Sequence, residues 1–361
     1  MDAAQTAGLQ NSLSSLGIPG EVPASFFGPG QEFSECLVRA GFVDRSMTRR
    51  IRVSGNDRLD LLHRLSTNDL LHLRPGQVRP TVFATDKGRI VDHVLVMVRD
   101  QELILLTSSL MEDALTAWIG RYTITEDIQT KDVTQATKRY SIWGPQSFSL
   151  AQGLTKTTNI TGALHEIGRP WGSYYLACSP GPAGDSIEIV CPAEHAEEIE
   201  GEIREAAVVR MGQVAAEAVR IMLGVPVCGR ELQDAFNPYE AGLRSSISFT
   251  KGCYLGQEVI ARLDTYNKVQ RRPAGVIVDG FVPSAPTMLP LHLGGEIVGH
   301  MTSCAAILEK TVGFAVVRKE VPDGASLSIG GEKSGLPTAR ITPFPIRLEA
   351  VVGSSQAGKE R

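Results

Sequence analysis

Hydrophobic and polar positions alternate with a period of two through much of this chain, and a few stretches of helical spacing interrupt them. From Phe42 to Val53 the pattern ends as an alternating strand, closed by Ser54-Gly55-Asn56-Asp57. Asn56 or Asp57 is placed to cap the helix that follows, where Leu59, Leu62 and Leu65 recur on one side. His63 rides on the same helix, and a lone helical histidine is ordinarily packed or exposed. Strands are expected at Thr81–Thr85, Ile90–Val98 and Leu103–Thr107, the first two joined by the turn Asp86-Lys87-Gly88-Arg89. A helix from Met111 to Tyr122 carries a stripe of Ala114, Leu115, Trp118, Ile119 and Tyr122. Tyr140–Trp143 reads as a strand running into the Gly144-Pro145 turn, and Ser147–Gly153 as a short helix. Strands at Ser173–Cys178 and Ser186–Val190 precede an amphipathic, acidic helix over Glu194–Val208 and a further helix over Ala215–Leu223. From Pro273 the texture changes to short β-runs between Gly and Pro, at Gly275–Val278, Gly295–Met301, Val312–Val317, Ser326–Ile329 and Arg340–Thr342. That spacing predicts a small antiparallel barrel, and the fold class expected for the whole is α+β.

A chain of 361 residues exceeds what one core usually serves, so two or three packed domains are expected. A net charge of -4 with 21% charged residues gives no strongly basic surface for direct nucleic-acid binding. Lys268, Arg271 and Arg272 form a modest basic cluster that fits the anionic tail of a ligand, RNA, a protein partner or a solvated loop. Apolar runs stay well short of the roughly 18 residues of a membrane span, so no membrane partner is expected. Residues Met1–Gly30 are rich in Ala, Ser, Gly and Pro, with acids at Asp2 and Glu21 and no Arg or Lys. They fit neither a secretory signal nor a transit peptide and read as a flexible or loosely docked arm. The six cysteines lack any Cys-x-x-Cys spacing, which points to reduced thiols and a cytoplasmic setting.

Candidate chemistry is densest at Phe249–Arg262, where Cys253 lies between Gly252 and Gly256, next to Lys251 and ahead of Gln257-Glu258. Glycines permit positive φ and close backbone approach, so a shaped loop presenting Cys253 is expected. A lysine beside a thiol favours the reactive thiolate. The plainer reading of Cys253 is a small buried hydrophobe.

The run Lys251-Gly252-Cys253-Tyr254-Leu255-Gly256-Gln257-Glu258 resembles the Lys-Gly-Cys-Tyr-x-Gly-Gln-Glu signature of YgfZ-type folate-binding proteins. These are relatives of the aminomethyltransferase (T-protein) of the glycine cleavage system. Arg220–Pro226, Gly229–Leu232 and Asn237–Leu243 are similar to the segments that precede the signature in that family. Leu65–Val98 resembles the opening of the T-protein folate domain, with Asp92-His93 where T-proteins carry an acidic pair. Asp185–Ile189 resembles the segment whose glutamate holds the pterin ring.

The resemblance implies a GcvT-like three-domain ring around a central folate pocket with the cysteine loop near its mouth. The divisions expected are an arm over 1–30, a folate-binding region over 31–270 with about 54–135 inserted in its other half, a barrel over 271–350 and a tail over 351–361. It implies a tetrahydrofolate-binding accessory protein in iron-sulfur cluster assembly or repair, serving carrier or client proteins such as tRNA-modifying enzymes, with a transient iron-sulfur cluster as a second cofactor. A folate-dependent aminomethyl or methyl transferase and a non-catalytic folate-binding module are the alternatives. Histidine in place of the second acid speaks against glycine cleavage itself. A chloroplast or mitochondrion replaces the cytoplasm if a presequence has been removed from a eukaryotic protein.

Among site residues, the resemblance assigns Cys253 and Lys251 to thiol chemistry or transient cluster ligation. It places Glu188, Arg220, Asp92, Tyr254 and Gln257 around the folate. A carboxylate suits Glu188's role because it can accept two parallel hydrogen bonds from the pterin edge. The competing readings are a strand glutamate facing water for Glu188, an internal ion pair for Arg220 and a polar strand-bend residue for Asp92.

Overall fold

The structure is a computed structural model that describes residues 23–109, 114–181, 184–266, 268–282, 288–331 and 334–352. The chain opens with α1 (Pro29–Val38) and β1 (Gly41–Asp44). An excursion follows through β2 (Arg50–Ser54), α2 (Arg58–Leu65), β3 (Val78–Ala84), β4 (Ile90–Val98), β5 (Glu102–Leu106), α3 (Ala114–Tyr122) and β6 (Gln129–Asp132). The path returns through β7 (Thr137–Trp143), α4 (Ser147–Thr155), β8 (Leu164–Arg169), β9 (Gly172–Gly181), β10 (Gly184–Pro192), α5 (Ala196–Glu205), β11 (Val209–Arg210) and α6 (Gln213–Met222). The remainder holds α7 (Gln257–Thr265), β12 (Arg271–Asp279), β13 (Leu289–Leu293), β14 (Glu296–Ile307), β15 (Lys310–Arg318), β16 (Ser326–Ile329), β17 (Thr338–Thr342) and α8 (Leu348–Val352).

Three β assemblies result. A first sheet runs β11-β1-β7-β10-β9-β8, a second runs β3-β4-β5-β2-β6, and a closed barrel runs β12-β15-β14-β13-β16-β17. The second sheet is built wholly from the excursion between β1 and β7. The mixed α+β class and the antiparallel C-terminal barrel are those the sequence pattern predicts.

Period-two alternation gives each of the first two sheets two distinct faces. In the first sheet, Tyr140, Ile142, Leu176, Cys178, Ile187 and Ile189 point to a core that α4 and α5 cover. In the second, Val94, Val96, Leu103 and Leu105 point to a core with α2 and α3. The opposite faces meet. Val78, Leu95, Met97, Ile104 and Leu106 of the second sheet pack on Leu164, Ala177 and Val190 of the first. Full burial of such side chains stabilises by about 1.5–3 kcal/mol each, so this seam holds the sheets face to face. Where the chain crosses between them, the buried Arg50 guanidinium donates to Thr137 Oγ1 (2.7 Å) and to the carbonyls of Thr48 (2.6 Å), Ser46 (3.0 Å), Thr134 (2.6 Å) and Thr137 (3.1 Å). Backbone at both crossings is thereby tied to one side chain.

The barrel joins this pair of sheets through α6. Ala215, Ala218, Val219 and Met222 lie on a stripe of helical spacing that packs between Phe33 and Cys36 of α1 and Phe314 and Val316 of the barrel.

Several elements differ from expectation for identifiable reasons. Asp57 occupies the N-cap of α2 without capping it, because its carboxylate accepts the Asp127 N–H instead (2.7 Å). Leu61, Leu62 and Leu65 are buried in α2, whereas Leu59 is only partly so. The helix over Met111–Tyr122 is seen from Ala114, and residues 111–113 lie outside the described residues. Strand β13 carries Pro290 opposite His300, a proline that masks the strand pattern in the sequence. Of the Met1–Gly30 arm, residues 1–22 lie outside the described residues, as do 353–361 of the tail. The part from Pro23 is docked: its carbonyl accepts the Gln213 N–H (3.1 Å), and Ala24 O accepts the Val214 N–H (3.2 Å).

Glu32 makes that docking. Fully buried, it accepts Ser25 Oγ–H (2.7 Å) and the N–H groups of Phe26 (2.5 Å), Phe27 (3.1 Å) and Gly212 (2.7 Å). Replacing it by alanine strips partners from three amides. Glu32→Ala is expected to cost about 2–4 kcal/mol in urea unfolding, since each abandoned buried donor costs about 1–3 kcal/mol. A loss below about 0.5 kcal/mol, the level of an ordinary surface change, would refute this role.

Candidate functional site

A cavity of about 470 Å³ opens where the seam between the two sheets stops being apolar. Its volume lies within the range of small-molecule sites. Apolar walls come from Leu95, Leu106, Trp143, Phe148, Val219 and Leu223, and polar walls from Arg45, His93, Ser108, Arg139, Ser179, Ser186 and Glu188. Alternation explains the polar set. Ser186 and Glu188 share the inner face of β10 with Val190, and Arg139 and Trp143 share that of β7. Among the described residues none from the barrel lines the cavity.

The centre of the polar wall is an ion pair between adjacent strands. Arg139 Nε donates to Glu188 Oε2 (2.8 Å), and both side chains are almost fully buried. Ser141, directly across from Glu188 in the ladder, donates to Oε1 (2.8 Å) and Oε2 (2.9 Å). Arg139 also donates to Thr48 Oγ1 (3.0 Å) and to the Thr107 carbonyl at the end of β5 (2.9 Å), bridging the two sheets. Among the described residues Glu188 Oε1 accepts from Ser141 only, which leaves one acceptor lobe open.

Of the pair Asp92-His93, it is His93 that lines the cavity, because alternation sets it on the inner face with Leu95. His93 Nε2 lies 2.9 Å from Ser246 Oγ. Burial, then the charges of Arg139 and Arg45, lower its pKa to about 4, so it is neutral at physiological pH. Asp92 stands behind the wall rather than in it. Its Oδ1 accepts the Ser108 hydroxyl and the N–H groups of Ser108 (3.2 Å) and His93 (2.8 Å), while Oδ2 is buried without a partner. Burial raises its pKa to about 6.

The Lys251–Glu258 motif is a docked loop followed by α7, which begins at Gln257. Lys251 Nζ donates to the carbonyls of His63 (2.6 Å), Ser66 (2.7 Å) and Asn68 (2.8 Å), filling its three donor positions at the C-terminal end of α2. Burial lowers its pKa to about 8, which keeps it charged at neutral pH. Beside it, His63 Nδ1 accepts the Leu70 and Leu71 amides (both 3.2 Å), so this histidine is a structural acceptor. Tyr254 packs with the buried cluster of Ala84, Tyr239, Ile247 and Ile260. Leu255 N–H donates to Arg64 O (2.9 Å). At Gly256, φ is +81° and an added Cβ would stand 2.3 Å from Thr85 O, whereas Gly252 has open space around it.

Several of the expected site residues have other partners or lie outside the cavity lining. Lys251 is a clamp on α2 with no donor left for a neighbouring thiolate. Cys253 is exposed, and with Lys251, Tyr254 and Gln257 it is not among the residues lining the cavity. Arg220 is buried and donates to both Glu217 oxygens, Val225 O (3.1 Å), Glu231 Oε2 (3.4 Å) and Ser303 Oγ (2.7 Å), so all five of its N–H bonds are taken. Asp92, as above, is outside the lining. Only Glu188 among the expected folate-site residues faces the cavity. Sequence reasoning missed Arg45 and Arg139. Arg139 and Ser141 do stand out as polar positions alternating with Tyr140 and Ile142, the one signal available.

A family model described as the GCVT N-terminal domain matches residues 21–251. A chloroplastic protein of Arabidopsis thaliana, provisionally named a transferase, is 31% identical over 308 residues, covering 81% of this chain and 69% of that protein. The aminomethyltransferase of Geobacillus kaustophilus is 28% identical over 319 residues, covering 83% and 85%. Among solved structures, the glycine cleavage system aminomethyltransferase T of Bartonella henselae matches with a TM-score of 0.73 at 17% identity, over 90% of this chain and 91% of that one, which is a likeness of fold.

Two measurements check this geometry. Folded Asp92 holds a proton that the unfolded chain releases between the ordinary value of 3.8 and about 6, so it adds stability as pH falls through that window. His93 does the reverse between about 4 and 6.5, where the unfolded chain binds the extra proton and stability is lost as pH falls. The two oppose each other. Stepped-pH urea unfolding should show Asp92→Asn losing about 2 kcal/mol more than wild type between pH 6.5 and 4, and His93→Gln gaining relative to wild type over the same range. Parallel curves for all three proteins would be the contrary result. Gly256→Ala should destabilise by at least about 2 kcal/mol through left-handed strain and overlap with Thr85 O, and Gly252→Ala by no more than about 1 kcal/mol. Equal effects would remove the distinction drawn between the two glycines.

Proposed function

This chain belongs to the family of the GCVT N-terminal domain, and we propose that it binds a reduced folate, tetrahydrofolate or a one-carbon derivative of it, with the pterin ring in the cavity against Glu188. The observation that carries this is a buried carboxylate in the wall of a cavity of about 470 Å³, with an acceptor lobe of Oε1 unused. A pterin presents an amino group and a ring N–H on one edge, and a carboxylate accepts such a pair. Trp143, Phe148, Leu95 and Leu106 supply apolar surface for a flat ring. The aminomethyltransferases among its relatives support a one-carbon unit as the cargo. In that reading neutral His93 offers a hydrogen-bonding group without adding charge.

An accessory role of the YgfZ type, in iron-sulfur cluster assembly or repair, is favoured by a separate observation: Cys253 is exposed on a loop that Lys251 and Gly256 anchor. A thiol held out in this way can meet a carrier or client protein. Among the described residues no group of three or more His, Cys, Asp and Glu is placed to hold a metal. Clusters take about four protein ligands, so Cys253 would supply one and the partner the rest. The chloroplastic relative supports an organelle as readily as the cytoplasm for such work.

Isothermal titration of the full chain with tetrahydrofolate tests the main reading. Glu188→Gln should weaken binding by at least about ten-fold, the loss of one charge-assisted hydrogen bond, and Cys253→Ser should leave it within about two-fold. Wild-type affinity in Glu188→Gln would refute the placement of the ring.

A further inference from the structure

Of the two arginines lining the cavity, Arg139 is anchored by side-chain hydrogen bonds, as are Arg220 and Arg50 elsewhere in the fold. Arg139 is held by Glu188, Thr48 and Thr107, Arg220 by Glu217, Glu231, Ser303 and Val225, and Arg50 by Thr137 and four carbonyls. Arg45 also lines the cavity, yet among the described residues no hydrogen bond or ion pair holds its guanidinium. It follows β1, and only its backbone is fixed, through an N–H bond to Arg139 O (2.9 Å).

We propose that Arg45 receives a carboxylate of the ligand that fills this cavity. The inference rests on the folate reading for the identity of the site and adds the charge that its ligand must carry. Arg45 is half-buried, so its guanidinium is partly withdrawn from water with no side-chain partner among the described residues, and a ligand anion would supply one. Its planar fork matches a carboxylate bidentately. Arg139 is paired with Glu188, and of the two arginines lining the cavity this leaves Arg45 to meet a negative group of the ligand. Burial and the neighbouring Arg139 lower the Arg45 pKa only to about 10, so that charge persists at neutral pH. Ser108, Ser147, Ser179 and Ser186 supply neutral hydroxyls nearby and no second free cation, which suits a carboxylate better than a dianionic phosphate. Such a carboxylate comes either from the glutamate tail of the folate or from an amino acid that donates or accepts the one-carbon unit.

Calorimetry on the full chain separates these sources. The probes are tetrahydrofolate, 6-methyltetrahydropterin as the ring without carboxylates, and glycine added to chain already saturated with that pterin, each on wild type and on Arg45→Gln. If the tail is the source, Arg45→Gln weakens tetrahydrofolate by about ten-fold or more and leaves the pterin unchanged. If an amino acid is the source, the variant loses glycine binding to the pterin-loaded chain. The proposal is overturned if neither carboxylate ligand depends on Arg45, or if the pterin weakens as much as tetrahydrofolate. Should tetrahydrofolate and the pterin both fail to bind wild type, the folate reading falls by itself, and glycine and acetate titrated onto the empty chain still decide the Arg45 question by the same comparison. Thermal melting without ligand gives an independent readout. Arg45→Met should raise the melting temperature by several degrees, because it deletes an unpaired cation. A fall of similar size would show that Arg45 supports the fold, and would overturn its assignment to a ligand.

Discussion

The buried pair of Arg139 and Glu188 decides where this protein has an interior and where it has a hollow. Two sheets meet by their inner faces, and for most of the contact they are closed by leucine, valine and methionine. At one end the same alternation delivers an arginine, a glutamate and several serines to the interface. Charged groups need hydrogen-bonding partners at fixed distances, and apolar side chains from the facing sheet provide none. Arg139 meets that demand by reaching Thr48 and Thr107 beyond its own sheet, which joins the sheets and holds them apart in one arrangement. The cavity is the space left over.

The motif that draws the eye in the sequence has a different task. Lys251 closes the end of α2, Leu255 bonds to Arg64, Tyr254 fills a small core and Gly256 lies against the β3–β4 turn. It is a latch between the segment leading into α7 and the second sheet. Cys253 is left facing solvent. Dense chemistry in a short stretch therefore marks dense contacts here, with one thiol free to act outward.

Arg220 and Glu231 show the same logic at the barrel. Buried with Glu217 and bonded to Thr302 and Ser303 of β14, they form a polar lock between α6 and the barrel wall. The apolar stripe of α6 packs on either side of that lock, so the helix carries load for three parts of the molecule. Its neighbours Val219 and Leu223 also wall the cavity, which ties the width of the hollow to the seating of the barrel.

By itself the sequence determined many of the strands and most of the helices, because hydrophobic period is a local property that burial on one face imposes directly. The barrel spacing and the alternation in β7 and β10 were legible on that ground, whereas Glu188 was singled out by the family resemblance. Site membership was not, because it depends on which strands become neighbours. Only the pairing of β7 with β10 sets Ser141 opposite Glu188 and brings Arg139 within reach. Only the packing of two sheets turns His93 inward, leaves Asp92 behind the wall and presents Arg45 without a partner. A side chain's chemistry is written in the chain, but its partners are fixed by contacts between residues far apart along it, and those exist only once the sheets have met.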